Sequence, residues 1–268
     1  MCGRLTQKTP AAQLAEVFGL DSAPPELGPR YNIAPTLDIL AVPNLQGPRH
    51  AEAFRWGLVP SWAPDPSVGN RLVNARAETV SQKPSFRQAL QRRRCLVLAD
   101  GFYEWRTDPR GKTPFHYQMK DGKPFALAGL WEVWQGPPRS SDPGAQPLET
   151  NEPPPEANAP RDPATSKAMD GRRWTVCLLT TDANPLVAEI HDRMPVLLAP
   201  EDWNRWLDPA PVGPDALNDL LRPFPADAMA GFEVDPFVNK ARNEGPQCVQ
   251  PVRREREGWL FDADAGRR

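Results

Sequence analysis

Two short apolar runs of strand length, residues 95–99 and 174–179, limit the architecture more than any other feature of this chain. Runs of this kind bounded by turn residues read as strands buried on both faces. Further strands are predicted at 38–42, around 52–58, at 115–119, 125–133 and 194–198, with a last candidate at 232–238. Asp121-Gly122 between two of them is a hairpin signal. Helices are short and irregularly placed. One is predicted over 10–19, with Thr9 as N-cap, Pro10 in the first turn, Gly19 as the stop and Leu14, Val17 and Phe18 as its buried stripe. Others are predicted at 85–92, 182–192, 200–207 and 215–221. Arg92, Arg93 and Arg94 read as a solvated helix end, where cations suit the negative end of the helix dipole. Regular β-α-β alternation is absent, so the prediction is an α+β fold: a mainly antiparallel, barrel-like β-sheet with flanking short helices.

The length, 268 residues, suits one large domain, expected over 1–252 with a charged tail from 253. Residues 136–172 are rich in Pro, Ser, Asn, Asp and Ala and poor in large apolar side chains, which predicts a disordered insertion rather than a domain linker. The strands on either side of it read as parts of one sheet. The formal net charge of −2 gives no global basic field, so any nucleic-acid binding must use a local patch. Four scattered cysteines and three histidines show neither metal spacing nor a disulfide framework, so no metal and no cofactor is expected. Cys95 and Cys177 read as reduced core residues. Without a membrane-spanning run or a secretory signal, the expected setting is cytoplasmic or nuclear, with no membrane partner.

The first four residues, Met1-Cys2-Gly3-Arg4, carry an unusual chemical option. Removal of Met1 would leave a terminal cysteine with an α-amine of pKa about 7.7–8.0 beside a thiol of about 8.5. Such a 1,2-aminothiol condenses with an aldehyde: the amine forms a Schiff base and the sulfur then closes a thiazolidine. Interior cysteines cannot do this. The plain alternative is an ordinary second residue in a frayed terminus.

Other residues could assist. Glu104, in Phe102-Tyr103-Glu104-Trp105, follows a buried strand, where aromatic burial would raise its pKa and fit it for proton transfer. A solvent-facing carboxylate is the equal alternative. His191 lies between a short helix and a strand, beside Asp192 and Arg193. Asn74, Arg76 and Glu78 share one face if extended. Arg4, Arg76 and Arg193 could hold phosphates, although ion pairing is the commoner use of arginine. Pro35 and Trp62 sit on Pro-rich loops where such side chains can pack on unpaired bases.

Met1–Arg4, 31–36, 55–62, 74–78, 99–105 and 190–195, in that order, closely resemble the SOS-response-associated peptidase family of abasic-site processing proteins. The resemblance runs from Cys2 to about Val252. It implies a monomeric protein that shields abasic sites in single-stranded DNA, with the open-chain sugar supplying the aldehyde. By resemblance Cys2 is the nucleophile and forms the crosslink through C1′, Asn74 positions amine and sugar, Glu104 transfers protons and His191 assists ring opening and crosslink reversal. Arg76 and Arg193 match phosphate-holding positions, with Arg4 nearby. Asn32 and Pro35, in the 31–36 motif, Trp62, and Thr180 (with Thr181 as its alternative) match DNA-contacting ones. The family is also described as autoproteolytic, because Met1 must leave before Cys2 can act. Two other readings stay open from the residues alone: a thiol peptidase using Cys2, His191 and Glu104, and a non-catalytic single-strand binder.

Overall fold

The protein is described by a computed structural model covering residues 2–109, 111–136 and 172–252. In chain order the elements are β1 (Leu5–Gln7), α1 (Ala11–Phe18), β2 (Arg30–Ile33), β3 (Asp38–Pro43), β4 (Glu52–Trp56), β5 (Asn74–Arg76), α2 (Arg87–Arg92), β6 (Arg94–Ala99) and β7 (Gly101–Asp108). They continue with β8 (Gly111–Met119), β9 (Phe125–Trp134), β10 (Arg173–Asp182), α3 (Pro185–Ala188), β11 (Arg193–Pro195), β12 (Leu197–Leu198), α4 (Trp203–Trp206) and β13 (Met229–Glu233). Apart from Gly136 and Arg172, the expected insertion lies outside the described residues, as does the charged tail. The strands flanking the insertion pair directly, Arg173 opposite Trp134 through Leu178 opposite Gly129.

Two sheets account for the strands. In the larger, β4, β3, β6, β9 and β10 pair in turn, and β10 closes back on β4 to form a five-stranded ring. The closing pair is parallel, Thr175 opposite Arg55 and Val176 opposite Trp56. The other sheet is antiparallel, in the order β13-β8-β7-β1-β2. The α+β, barrel-like architecture expected from the sequence is therefore present, with short helices interspersed among the strands.

Alternation along the ring strands separates two cores. Leu40, Val42, Leu96, Leu98, Ala128, Cys177 and Leu179 pack with Leu14 and Phe18 of α1, Leu90 of α2 and Trp203 and Trp206 of α4. A five-stranded ring has no room for helices, so this is its outer face. Ile39, Phe54, Trp56, Cys95, Val97, Leu127, Val176 and Leu178 form the inner set. Leu5, Ile33, Phe102 and Tyr117 of the second sheet join that inner set and cap the ring, and Cys2 belongs to it as well.

Several sequence expectations are corrected. Pro10, not Thr9, is the N-cap of α1, because the Thr9 hydroxyl is already bonded to Asp100. Gly19 does end the helix in the left-handed conformation, at φ 59°. Asp121-Gly122 forms a turn but no hairpin: β8 pairs with β7 and β13, whereas β9 pairs with β6, β10 and β12. The turn therefore carries the chain from one sheet to the other. Residues 218–220 form a 310 turn in place of the predicted helix, and 236–239 another in place of the end of the predicted strand.

The largest correction concerns Arg94, which is fully buried rather than solvated. Its Nε donates to Trp206 O at 2.9 Å, its Nη1 to Leu90 O at 3.0 Å and Gln91 O at 2.8 Å, and its Nη2 to Asp208 O and to Ala210 O at 3.3 Å. Backbone carbonyls thus replace water around the guanidinium and tie α2 and α4 to the start of β6. Each carbonyl left bare in an apolar interior costs about 1–3 kcal/mol. Arg94→Met should therefore lose at least about 3 kcal/mol of stability, read as a lower urea midpoint. A loss under about 1 kcal/mol would show that these bonds contribute little.

Candidate active site

The site is assembled around β1. This strand is internal to its sheet, pairing with β7 (Leu5 opposite Phe102, Thr6 opposite Gly101) and with β2 (Leu5 opposite Ile33). Tyr103 N donates to Arg4 O at 3.0 Å and extends the pairing toward the chain start. Cys2 is consequently fully buried and not frayed. Burial, first, and the charge of Glu104, second, push its thiol pKa far above the usual value. The thiol makes its recorded contact with Arg4 O, at 4.0 Å.

Asn74 reaches Cys2 from the ring. Its Nδ2 donates to Cys2 O at 2.7 Å, while its Oδ1 is buried without a hydrogen-bond partner. The strand that carries it, β5, runs parallel to β10, Leu178 opposite Asn74 and Thr180 opposite Arg76. The long β10 thus pairs first with β4 and then with β5. Between them the chain loops out and is pinched at its base, where Gly57 and Gly69 approach so closely that a Cβ on Gly69 would lie 2.6 Å from Gly57 O. Gly57 also holds a φ of 130°, a region other residues rarely enter.

Glu104 sits on β7 and is buried. Desolvation raises its pKa from the usual 4.5 to about 7, opposed by the amino-terminal charge and assisted by Asp192. His191 follows α3. Its Nδ1 accepts from Arg193 N at 3.0 Å and lies 3.0 Å from Asp192 Oδ1. Burial is the main cause of its lowered pKa, with the amino-terminal charge second. The amino-terminal charge thus acts on both Glu104 and His191, and Cys2 feels Glu104 and is held by Asn74. These four residues, from the segment before β1, from β5, from β7 and from the turn before β11, face one locus. Among the described residues, no three His, Cys, Asp or Glu side chains cluster as metal ligands.

The remaining sequence candidates divide by exposure. Arg76 is exposed, and Trp62 is 59% exposed beside Pro84, Arg87, Gln88 and Gln91. Pro35 is half-buried, in a turn whose next residue, Thr36, takes a φ of 79°. Arg4 lies over the Trp105 ring at 5.5 Å and bonds to Val238 O at 3.0 Å and to Asn32 Oδ1. Asn32 is buried, and its Nδ2 serves the carbonyls of Val238, Lys240 and Asn243. Thr180 and Thr181 are buried, bonded to Ala75 O and Leu221 O. Arg193 is engaged in ion pairs: its two terminal nitrogens meet Glu78, Asp182 and Thr180 O. Glu78, Asp182 and Asp192 are acids here that the sequence reading left without roles. Glu78 and Asp192 stand close to Arg76 and His191 in the chain, which was the available signal.

The family model described as "SOS response associated peptidase (SRAP)" matches residues 1–241. Abasic site processing protein YoqW of Bacillus subtilis (strain 168) is 38% identical over 253 residues, which cover 93% of this chain and 99% of that protein. Abasic site processing protein YedK of Escherichia coli (strain K12) is 28% identical, covering 94% of this chain and 100% of that protein. A crystal structure of a protein from Bacteroides thetaiotaomicron superposes with a TM-score of 0.73 at 25% identity, covering 94% of this chain and all of that one. With a family model matching residues 1–241 and a relative 38% identical over nearly the whole of both chains, the chain belongs to the SOS response associated peptidase family.

Proposed function

We propose that this protein, once Met1 is removed, captures abasic sites in single-stranded DNA as a covalent thiazolidine. The observation that carries this reading is the convergence of Asn74, Glu104 and His191 on the chain start at Cys2. The names of the relatives, abasic site processing proteins, supply the substrate class.

The α-amine of Cys2 attacks C1′ of the open-chain sugar and the carbinolamine loses water to give the imine. The thiol then adds across C=N: sulfur bonds to C1′ and the thiol proton goes to nitrogen. One water is released overall. A Glu104 carboxyl that titrates near neutrality can give the proton that carries water away and take the one that sulfur releases. Asn74 holds the Cys2 carbonyl, and its unpartnered Oδ1 can accept from the amine. His191, held neutral, can exchange a proton with the sugar as its ring opens. Arg76 is the exposed guanidinium for a phosphate, and Trp62 the exposed ring for a base. Asn32 and Thr180 spend their polar groups inside the protein, and Arg193 spends its own on Glu78, Asp182 and Thr180 O.

A thiol peptidase would need the opposite electrostatics. Its cysteine is activated by a neighbouring imidazolium that lowers the thiol pKa. Here burial and Glu104 raise it, and the thiol's recorded contact is a backbone carbonyl. A protonated thiol suits addition to an imine, which consumes both sulfur and proton.

On a denaturing gel, wild type should shift an abasic single-stranded oligonucleotide into a stable adduct. Cys2→Ala and a form retaining Met1 should give none. Adduct formation by the blocked form would sink the thiazolidine chemistry. Arg76→Ala should reduce the slope of log affinity against log salt on intact single strands by about 0.7, the value for one lost phosphate contact.

Glu104 yields a prediction about stability. Cys2, Tyr117, Asp192 and the terminal amine act on it or feel its charge. Because its folded pKa is raised, the folded state retains a proton that the unfolded state has lost between pH 4.5 and about 7. Stability therefore falls as pH rises through that window, by on the order of 3 kcal/mol once complete. Glu104→Gln, neutral throughout, should melt several degrees above wild type at pH 8 and close to it at pH 4.5, while crosslinking is lost. Equal melting at both pH values would contradict the buried, functionally retained carboxylate.

A further inference from the structure

Three adjacent strands carry the outer side of the site, in the order β5-β10-β11. Asn74 opens β5, and His191 stands two residues before Arg193, the first residue of β11. The strand between them, β10, contributes no group to the proposed chemistry. One side chain spans all three. Arg193, whose side chain is 11% exposed, reaches past β10 and donates from Nη1 to Glu78 Oε1 at 2.7 Å and from Nη2 to Glu78 Oε2 at 3.0 Å. Glu78 lies in the turn that follows β5. On the way the same guanidinium takes Thr180 O at 2.7 Å and Asp182 Oδ1 at 2.8 Å, both on β10. Ala77 N also donates to Thr180 O, at 2.9 Å, so that one carbonyl collects both flanking segments.

We propose that Glu78 is a positioning residue of the active site: its two-point bond to Arg193 fixes the Asn74 segment against the His191 segment across β10. The proposal rests on the function given above. The geometry has a direct consequence for His191. Arg193 N donates to His191 Nδ1, so the neutral ring carries its proton on Nε2. Asp192 Oδ1, at 3.0 Å from the same Nδ1, competes by favouring the protonated ring. A fixed Arg193 keeps the first arrangement.

Stability alone does not account for this pair. Glu78 is 48% exposed and Asp182 80% exposed, and ion pairs so open to water contribute little to folding. A planar fork on both carboxylate oxygens, by contrast, sets distance and angle together. Arg193 also holds the Glu78 carboxyl below its usual pKa, so the bond persists through the neutral range.

Glu78→Gln keeps the shape but loses one acceptor and the charge. In single-turnover crosslinking of an abasic oligonucleotide, its rate at saturation should fall about tenfold, with the half-saturating concentration within about twofold of wild type. In parallel, 15N spectra of the ring should show the His191 titration moving upward as Asp192 takes over Nδ1, against Arg193 and the terminal amine. Glu78→Asp, too short to meet both guanidinium nitrogens without moving the turn, should fall between wild type and Glu78→Gln. A saturating rate within twofold of wild type, a loss confined to the half-saturating concentration, or an unmoved His191 titration would each overturn the proposal. If wild type itself forms no adduct, the proposed function fails, and the His191 titration still decides whether Glu78 positions that ring.

Discussion

Everything in this site depends on holding the start of the chain inside the protein. Residues next to a terminus usually fray, because ordering them costs entropy that few contacts offset. Here β1 is flanked on both sides, by β7 and β2, so its backbone bonds are satisfied in two directions. Leu5 is buried in the inner core, and Gln7 bonds to Leu98 O and Leu40 on the ring. Asn74 then grips the Cys2 carbonyl itself. A residue next to the chain start becomes as well placed as one in the middle of a sheet.

That placement sets the electrostatics. Desolvation is the leading cause of the high thiol pKa of Cys2, the high carboxyl pKa of Glu104 and the low imidazole pKa of His191. All three groups are pushed toward their uncharged forms. The proposed condensation of an amine with an aldehyde needs neutral partners and well-timed proton movement more than fixed charge, and Glu104, titrating near neutrality among neutral neighbours, suits that. The interior histidine His116 shows the contrasting case. Packed between Tyr103 and Phe232, it has a pKa pushed down to about 3, too far from neutrality to exchange protons in use.

How far the sequence revealed this depends on the range of the interaction. Strand-length apolar runs and the Gly19 stop are local signals, and the structure bears them out. Asp121-Gly122 was locally correct as a turn, but which strands pair across it depends on partners elsewhere in the chain. Arg94 looked like one of three solvated arginines, because its five carbonyl acceptors come from α2 and from residues 206–210. Arg193 was given a phosphate-holding role by resemblance, and nothing in its own stretch of sequence pointed to an ion pair. Its partner Glu78 is 115 residues away, and no spacing rule joins them. The candidates Cys2, Asn74, Glu104 and His191 were legible as residue types with suitable chemistry, whereas their convergence required the fold.

The strand with no proposed chemistry explains that convergence best. β10 pairs with β9 along one side, and on the other with β4 and then β5, while β11 pairs with its far end. Four segments distant in sequence are thus indexed to one rod. Switching partners from β4 to β5 requires a loop that leaves and re-enters the sheet at nearly the same point, and the Gly57–Gly69 approach is how that loop closes. Asn74 follows immediately where the chain rejoins β10, and His191 immediately before the chain returns along it as β11. Site geometry is therefore set by backbone pairing first. Side-chain bonds such as Asn74 to Cys2 and Arg193 to Glu78 then tie these segments to one another.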